Sequence, residues 1–318
     1  MSNNDVLYIV VPCYNEEEVL ADTAGQLTQK LQALIEHETV SSDSRILFVD
    51  DGSSDNTWGL ICNLHGEQGS VISGLRLATN VGHQNAILAG LFSAAPLCDI
   101  TITIDADLQQ DINAIDSFLE KYRAGSDIVY GVRNTRNTDS VFKKATASLF
   151  YCIMKALGAK IIKNSADYRL LSKKAILALM QYKETNLFLR GILPLVGYKT
   201  DVVYFDVQKR KAGTSKYTFS KMFSLALNGI TSFSVKPIRA IMIIGVISFL
   251  VSLIIAIVHA VLYFMGEIET PGLTTIVLSI WALGGLQLVA IGIVGEYIGK
   301  TYIETKQRPR YEVWEFLK

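Results

Sequence analysis

The sequence predicts an α/β, Rossmann-like cytosolic domain with a mostly parallel sheet, followed by an interfacial helix and two transmembrane helices. Three observations predict it. Between residues 6 and 207, short apolar runs alternate with helix-length segments, the pattern of a sheet covered on both faces. Acidic and amide side chains collect where the apolar runs end, which is where open α/β sheets bind ligands. Two later runs, Ala240–Phe264 and Leu273–Gly295, contain no charged side chain and exceed the ~20 residues that cross a bilayer core.

In chain order, Val6–Val11 reads as a strand closed by Pro12, and Glu16–Glu36 as a helix. Arg45–Val49 is a second strand, ending at Asp50-Asp51-Gly-Ser-Ser-Asp. Thr57–His65 reads as a helix, Val71–Leu77 as a strand and His83–Ala94 as a helix. Ile100–Ile104, rich in β-branched residues, is a buried strand, and a helix begins near Ile112. Ile128–Tyr130 forms a further strand and Val141–Leu157 a helix. Asp167-Tyr-Arg169-Leu-Leu follows a loop at Lys163–Ala166. Glu184–Gly191 reads as a loop with a short helix, and Val202–Val207 as the last strand. Phe219–Phe233 has an apolar face suited to the membrane interface, or more plainly to covering the domain. The expected boundaries are 1–217, 218–237, 238–299 and a cytosolic tail at 300–318.

Half of the 318 residues are hydrophobic, and the mean hydropathy of +0.29 is high for a soluble chain. The polar N-terminus and the short Val6–Val11 run do not form a signal peptide, so the chain is expected to start in the cytosol. Lys221, Lys236 and Arg239 precede the first span, and Lys300, Lys306, Arg308 and Arg310 follow the second. The connection Gly266–Gly272 carries only Glu267 and Glu269. The positive-inside rule then puts both termini on the cytosolic face of the inner or plasma membrane. Lys plus Arg equals Asp plus Glu at 30 each, so no global field attracts nucleic acid, while the bases beside the spans suit an anionic lipid surface. Cys13, Cys62, Cys98 and Cys152 lack paired spacing and read as reduced thiols.

The chemistry centres on Ile102-Thr-Ile-Asp-Ala-Asp-Leu-Gln109. Asp105 and Asp107 lie where a strand gives way to a loop, with Gln109 two residues on. Carboxylate and amide oxygens are hard donors, matched to Mg²⁺ or Mn²⁺. The plainer reading is an acidic turn capping the next helix. Polar clusters at Tyr14-Asn15-Glu16 and Asp50-Asp51 strengthen the functional reading. No Gly-x-Gly-x-x-Gly or Gly-x-x-x-x-Gly-Lys-Ser/Thr loop is present to cradle phosphates.

Pro12-Cys-Tyr-Asn-Glu-Glu17, Asp50-Asp-Gly-Ser-Ser-Asp-Asn-Thr57 and Asp105-Ala-Asp-Leu-Gln109 resemble the signature of family 2 glycosyltransferases with the GT-A fold. Asn80-Val-Gly-His-Gln84, Asp167-Tyr-Arg-Leu170, Arg210-Lys-Ala-Gly-Thr-Ser-Lys-Tyr217 and Ile230-Thr-Ser-Phe-Ser-Val-Lys-Pro237 narrow it. So do Gly295-Glu-Tyr-Ile-Gly299 and Arg308-Pro-Arg-Tyr311. In order and spacing they resemble polyisoprenyl-phosphate glycosyltransferases of the bactoprenol glucosyltransferase type, relatives of dolichyl-phosphate mannose synthase. Relatives often continue the acidic loop with His or Asp and prolines. Here Gln110-Asp111-Ile112 follows, which implies a less rigid loop.

The resemblance implies a nucleotide-sugar donor, most readily UDP-glucose, with UDP-GlcNAc or another sugar as the alternative, and an undecaprenyl or other polyisoprenyl phosphate acceptor. It implies that Asp107 and Gln109, with Asp105 beside them, hold Mg²⁺ or Mn²⁺. Pro12, Tyr14, Asn15, Glu16, Asp50, Asp51, Asn80, Gly82 and Gln84 would line the donor pocket. Arg210, Ser215 and Lys216 would close over it. Arg133, Lys143 and Lys144 would take the acceptor phosphate, although both lysines also fit a solvated helix face. Asp167 resembles the family's catalytic carboxylate and fits either a base or an orienting group that balances Arg169. The resemblance also implies inversion at the anomeric carbon. Gly284, Gly285, Gly292, Gly295 and Gly299 allow close helix approach, which suits a homo-oligomer, although such glycines are also tolerated in a lone hairpin. A processive synthase would need a Gln-x-x-Arg-Trp motif, and Trp58, Trp281 and Trp314 lie in no such context. A non-catalytic scaffold is disfavoured because Asp105, Asp107, Asp167 and Arg133 are all present. Two uncharged spans offer a transporter no polar site at mid-membrane.

Overall fold

The computed structural model describes residues 4–134, 162, 164–184, 189–207, 236–265 and 273–318. It divides into two compact units. One holds the α/β domain and residues 308–318, and the other holds the two long apolar helices.

The first unit is built on an eight-stranded sheet in the order β7-β5-β6-β4-β1-β2-β3-β8. Strands β1 (Leu7–Cys13), β2 (Arg45–Asp50), β3 (Ile72–Leu77) and β4 (Ile100–Thr103) are mutually parallel. Their buried Val, Ile and Leu runs suit a sheet covered on both faces. Helices α1 (Glu17–Glu36), α2 (Thr57–Gln68), α3 (His83–Ala94) and α4 (Ala114–Arg123) connect or flank them. Strand β5 (Ile128–Arg133) is parallel to β7 (Thr200–Phe205).

Between β4 and β5 lies β6 (Ser165–Ser172), antiparallel to both. It begins at the edge where the parallel strands end. The motif reading left Asp167-Tyr-Arg169 without a strand. The structure places these residues inside the sheet, with Tyr168 buried between Phe118 and Phe205. Helix α5 (Lys173–Met180) follows directly, capped by the Ser172 hydroxyl, which accepts from the Ala175 N–H. A short helix α6 (Leu189–Ile192) lies further on.

The segment read as a tail also joins the sheet. Strand β8 (Val313–Leu317) pairs antiparallel with β3, Arg76 opposite Glu315, and makes the mostly parallel sheet a mixed one. The interfacial segment at 218–235, the helix expected at Val141–Leu157 and the connection at 266–272 lie outside the described residues.

The second unit contains α7 (Lys236–Phe264) and α8 (Leu273–Thr305). Both are long and apolar enough to cross a membrane, and none of the side chains described in the two apolar stretches is buried. Large side chains such as Ile254 and Leu288 face outward, unlike those of a buried helix in a soluble core.

Helix α3 crosses the sheet at Gly90. A Cβ there would come within 2.4 Å of Val10 Cγ1 and 2.8 Å of Val49 Cγ2. Gly90→Ala should therefore overpack this crossing and destabilise the domain by about 1–3 kcal/mol, read as a lower thermal midpoint of the detergent-solubilised protein.

Candidate active site

The site forms along the edge where β1, β2, β4 and β5 end and β6 begins. At the end of β1, the chain turns through Asn15, whose φ of 53° lies in the left-handed region tolerated by Asn. Ser54 N–H donates to Asn15 Oδ1 at 2.8 Å, and the Asn15 N–H donates to Ser53 Oγ at 3.0 Å. The Glu16 N–H donates to Thr57 Oγ1, and its carbonyl starts α1 by accepting from Val19 and Leu20. Pro12 is buried opposite Val49, while Tyr14 beside it is 43% exposed. The Tyr14 ring thus presents an open face at the strand end.

Asp50 and Asp51 turn inward. Asp50 is fully buried, accepts from the Ser53 N–H at 3.1 Å, and lies 3.7 Å from Arg76 Nε. Arg76 in turn stacks over Trp58. Asp51 accepts the Val81 and Gly82 N–H groups at 2.8 and 3.0 Å, one on each oxygen. Burial pushes the Asp51 carboxyl up against the opposing pull of those two N–H groups. Both acids therefore hold the loops at this edge. Asn80, at the tip of the loop held by Asp51, is exposed. Gly52, at φ 65°, lets the first loop approach Thr79 and Asn80 where a Cβ would come within 2.7 Å of backbone.

Asp105 and Asp167 stand side by side because β4 and β6 are antiparallel. Their register pairs Thr103 with Arg169, and continuing it by two residues brings Asp105 alongside Asp167. Thr103 Oγ1 donates to the Asp167 carbonyl at 2.6 Å and ties the two ends together. The Asp167 carboxylate is surrounded by donors. Arg169 Nη2 meets Oδ1, Arg190 Nε donates to Oδ1 at 3.3 Å, and Arg190 Nη2 to Oδ2 at 3.2 Å. Gln84 Nε2 also donates to Oδ2, at 3.3 Å, while Gln84 Oε1 accepts the Leu189 N–H of α6. Burial alone would raise the Asp167 carboxyl. Arg169 and Arg190, with His83, outweigh it and hold the group well below the usual carboxylate range.

His83 opens α3 after the Gly82 cap. Its Nε2 lies 3.5 Å from Asp105 Oδ1 and 3.6 Å from Asp167 Oδ2. Burial lowers its affinity for a proton, but the neighbouring Asp167 and Asp105 carboxylates prevail and shift the ring upward. Asp105 shifts up as well, chiefly by burial, with His83 opposing. The loop expected to be less rigid is tied at this point: Gln110 is buried and donates to Asp105 Oδ2.

The donor set fits a hard divalent cation. Asp105 Oδ1 is buried and, among the described residues, accepts no hydrogen bond. Asp107 and Gln109 are both partly exposed beside it, and the Gln109 N–H donates to Asp107 Oδ1 at 3.2 Å. Among the described residues no three His, Cys, Asp or Glu side chains form an all-protein cage. A cation here would complete its shell with substrate oxygens, as Mg²⁺ and Mn²⁺ commonly do. Arg133 sits exposed at the end of β5, its N–H donating to the Asn164 carbonyl. Lys143, Lys144, Arg210, Ser215 and Lys216 lie outside the described residues. His83, Arg190 and Gln110 were not singled out from sequence. His83 stood inside a quoted motif, whereas Arg190 meets its carboxylate 23 residues away.

The glycosyl transferase family 2 model matches residues 8–179. The chain belongs to glycosyltransferase family 2. Its mixed sheet flanked by helices is the GT-A-like fold of that family, and the protein is a glycosyltransferase. Among relatives, it is 50% identical over 308 residues to YkoT, an uncharacterized glycosyltransferase of Bacillus subtilis, covering 97% of this chain and 91% of that one. It is 38% identical over 308 residues to the prophage bactoprenol glucosyl transferase homolog of Escherichia coli, covering 95% and 96%. It is also 38% identical over 306 residues to the bactoprenol glucosyl transferase of Shigella phage SfV, with the same coverage.

Arg169 is 1% exposed and paired with Asp167. Arg169→Met should cost about 3–5 kcal/mol, because it weakens the pairing of a buried charge. The sign follows from the depressed Asp167 pKa. Its contribution is present above the unfolded value of ~3.9 and is lost as pH falls through the folded pKa. The stability gap between wild type and variant should thus be full at neutral pH and narrow on acidification, as measured by denaturant titration at several pH values.

Proposed function

We propose that this glycosyltransferase moves glucose from UDP-glucose to a polyisoprenyl phosphate of the undecaprenyl class at the cytosolic membrane face. The observation that carries this reading is the likeness, along nearly the whole chain, to proteins named bactoprenol glucosyl transferases. The Asp105–Gln109 loop and the two apolar helices supply what such a reaction needs: a place for a nucleotide diphosphate and a hold on the membrane.

Asp105, Asp107 and Gln109 would hold Mg²⁺ or Mn²⁺. Bound there, the cation supplies Lewis-acid stabilisation of the charge on the departing diphosphate. Tyr14 offers a ring for the nucleobase, and the Asn15–Glu16 turn and the loop held by Asp51 frame the ribose. Arg133, with Lys143 and Lys144, receives the acceptor phosphate, guanidinium being suited to bidentate contact. Arg210, Ser215 and Lys216 close over the donor and exclude water that would hydrolyse the sugar. An acceptor phosphate oxygen forms the new bond to the anomeric carbon as the bond to the diphosphate breaks, which inverts configuration.

Asp167 acts as an orienting anchor in this scheme. Both its oxygens are engaged by Arg169, Arg190 and Gln84, and its proton affinity is low. A phosphate monoester with a second pKa near ~6 is largely ionised at neutral pH and needs no strong base.

The proposed topology has both termini in the cytosol. Residues 308–318 and the N-terminal strands belong to one compact unit, which supports a reading with the chain before α7 and after α8 on one side of the membrane. The bases flanking the helices agree with that side being cytosolic. Among the described residues, a Cβ added at Gly284, Gly285, Gly292, Gly295 or Gly299 meets nothing within 4 Å, and this surface on α8 suits self-association into a homo-oligomer.

The test is a membrane assay with undecaprenyl phosphate and a panel of radiolabelled nucleotide sugars. Label from UDP-glucose should enter the lipid phase, disappear with EDTA, and fall on the order of a hundredfold or more in Asp107→Asn. Transfer from another sugar nucleotide alone would correct the donor, and label in polymer would replace the reading with a synthase.

A further inference from the structure

His83 stands between two carboxylates that come from different strands, and the two are not equally held. Asp167 also meets Arg169, Arg190 and Gln84. Without His83 it would keep those partners. Asp105 accepts from Gln110 on Oδ2, while its buried Oδ1 accepts no hydrogen bond among the described residues and faces the His83 ring 3.5 Å away. Like charges on one site repel, and Asp105 is the side with freedom to yield. Turning away from Asp167 would change where its carboxylate points at the start of the Asp105–Gln109 loop.

The ring is well placed to prevent this. The Gly82 cap, itself held by Asp51, fixes the start of α3, and Gln84 on the next position ties that turn to Asp167 and α6. The imidazole therefore projects from a backbone fixed at several points. We propose that His83 is a positioning residue for the donor, bracing Asp105 against the fixed Asp167 so that its carboxylate faces the nucleotide diphosphate. This inference rests on the donor-binding reading of the Asp105–Gln109 loop. His83 acts through Asp105 and touches no reacting atom.

The test uses the full-length protein in detergent and compares wild type, His83→Ala and His83→Gln. UDP affinity is measured by equilibrium titration with Mn²⁺ and no acceptor, and donor and acceptor KM in the transfer assay. His83→Ala should weaken UDP binding and raise the donor KM about tenfold, the scale of losing a residue that orients a ligand-holding carboxylate. The acceptor KM should stay within about twofold. His83→Gln, whose amide N–H reaches a similar place, should recover most of the loss. Wild-type UDP affinity and donor KM in His83→Ala would overturn the inference. So would equal damage to donor and acceptor in both variants with a lowered thermal midpoint, the mark of a merely structural role. A wild-type protein that binds UDP but makes no lipid-linked sugar would refute the acceptor reading, with the UDP titration still deciding the role of His83. A wild type that binds no UDP overturns the donor reading and this inference with it.

Discussion

Strand β6 runs against both its neighbours, and the site depends on that reversal. Every other strand from β1 to β7 delivers its carboxyl end to the active edge. Because β6 is inserted antiparallel between β4 and β5, its amino end arrives there instead. Asp167 therefore lies beside Asp105, although 62 positions separate them in the chain numbering. Bringing two carboxylates together is costly unless cations accompany them. The same strand supplies one, Arg169, two residues on. Alternation alone would send Asp167 and Arg169 to the same face, and there they pair. Arg190 and His83 arrive from helices at the same edge. The cluster is thus a consequence of topology, and its charges are balanced by the elements that create it.

The chain's course has a second consequence. It leaves the α/β unit, forms two apolar helices, and returns to add β8 to the edge of the sheet beside β3. Arg76 of β3 faces Glu315 across that pairing and reaches Asp50 at the end of β2. The last strand thereby faces the arginine that reaches the buried Asp50. The proposed lipid acceptor needs its phosphate at the surface while its tail stays in the bilayer, a need that a catalytic domain carried on one chain with two apolar helices suits.

Much of this was legible in the residues. The β-branched run before Asp105, the Gly82–His83 start of α3 and the uncharged lengths of the two spans are local patterns, and local patterns define local elements. The polar clusters at Tyr14-Asn15-Glu16, Asp50-Asp51 and Asp105/Asp107 likewise pointed to the strand ends where these loops gather. Strand β6 was not assigned from the residues, because charges at Asp167 and Arg169 interrupt the apolar pattern of a buried strand until their ion pair is known to form. Strand β8 is five residues at the chain end whose partner lies more than 200 positions away, and nothing local specifies that pairing. Arg190 escaped notice for a related reason: its role exists only once separate segments meet, whereas Gln110 lies only five residues from the Asp105 it meets. Asp50 and Asp51 show the converse. Their motif marked the site, but the carboxylates turned inward to hold loops.

The central claim is that Asp167 remains ionised as an anchor while the acceptor phosphate supplies its own nucleophilic charge. The most direct measurement is the pH dependence of single-turnover sugar transfer in wild type and Asp167→Asn. The account predicts that both lose rate as pH falls through about 6, the second ionisation of a phosphate monoester, with the variant slower at every pH. An acidic limb present in wild type and absent from Asp167→Asn would contradict it, because the titrating group would then be Asp167 acting as the base.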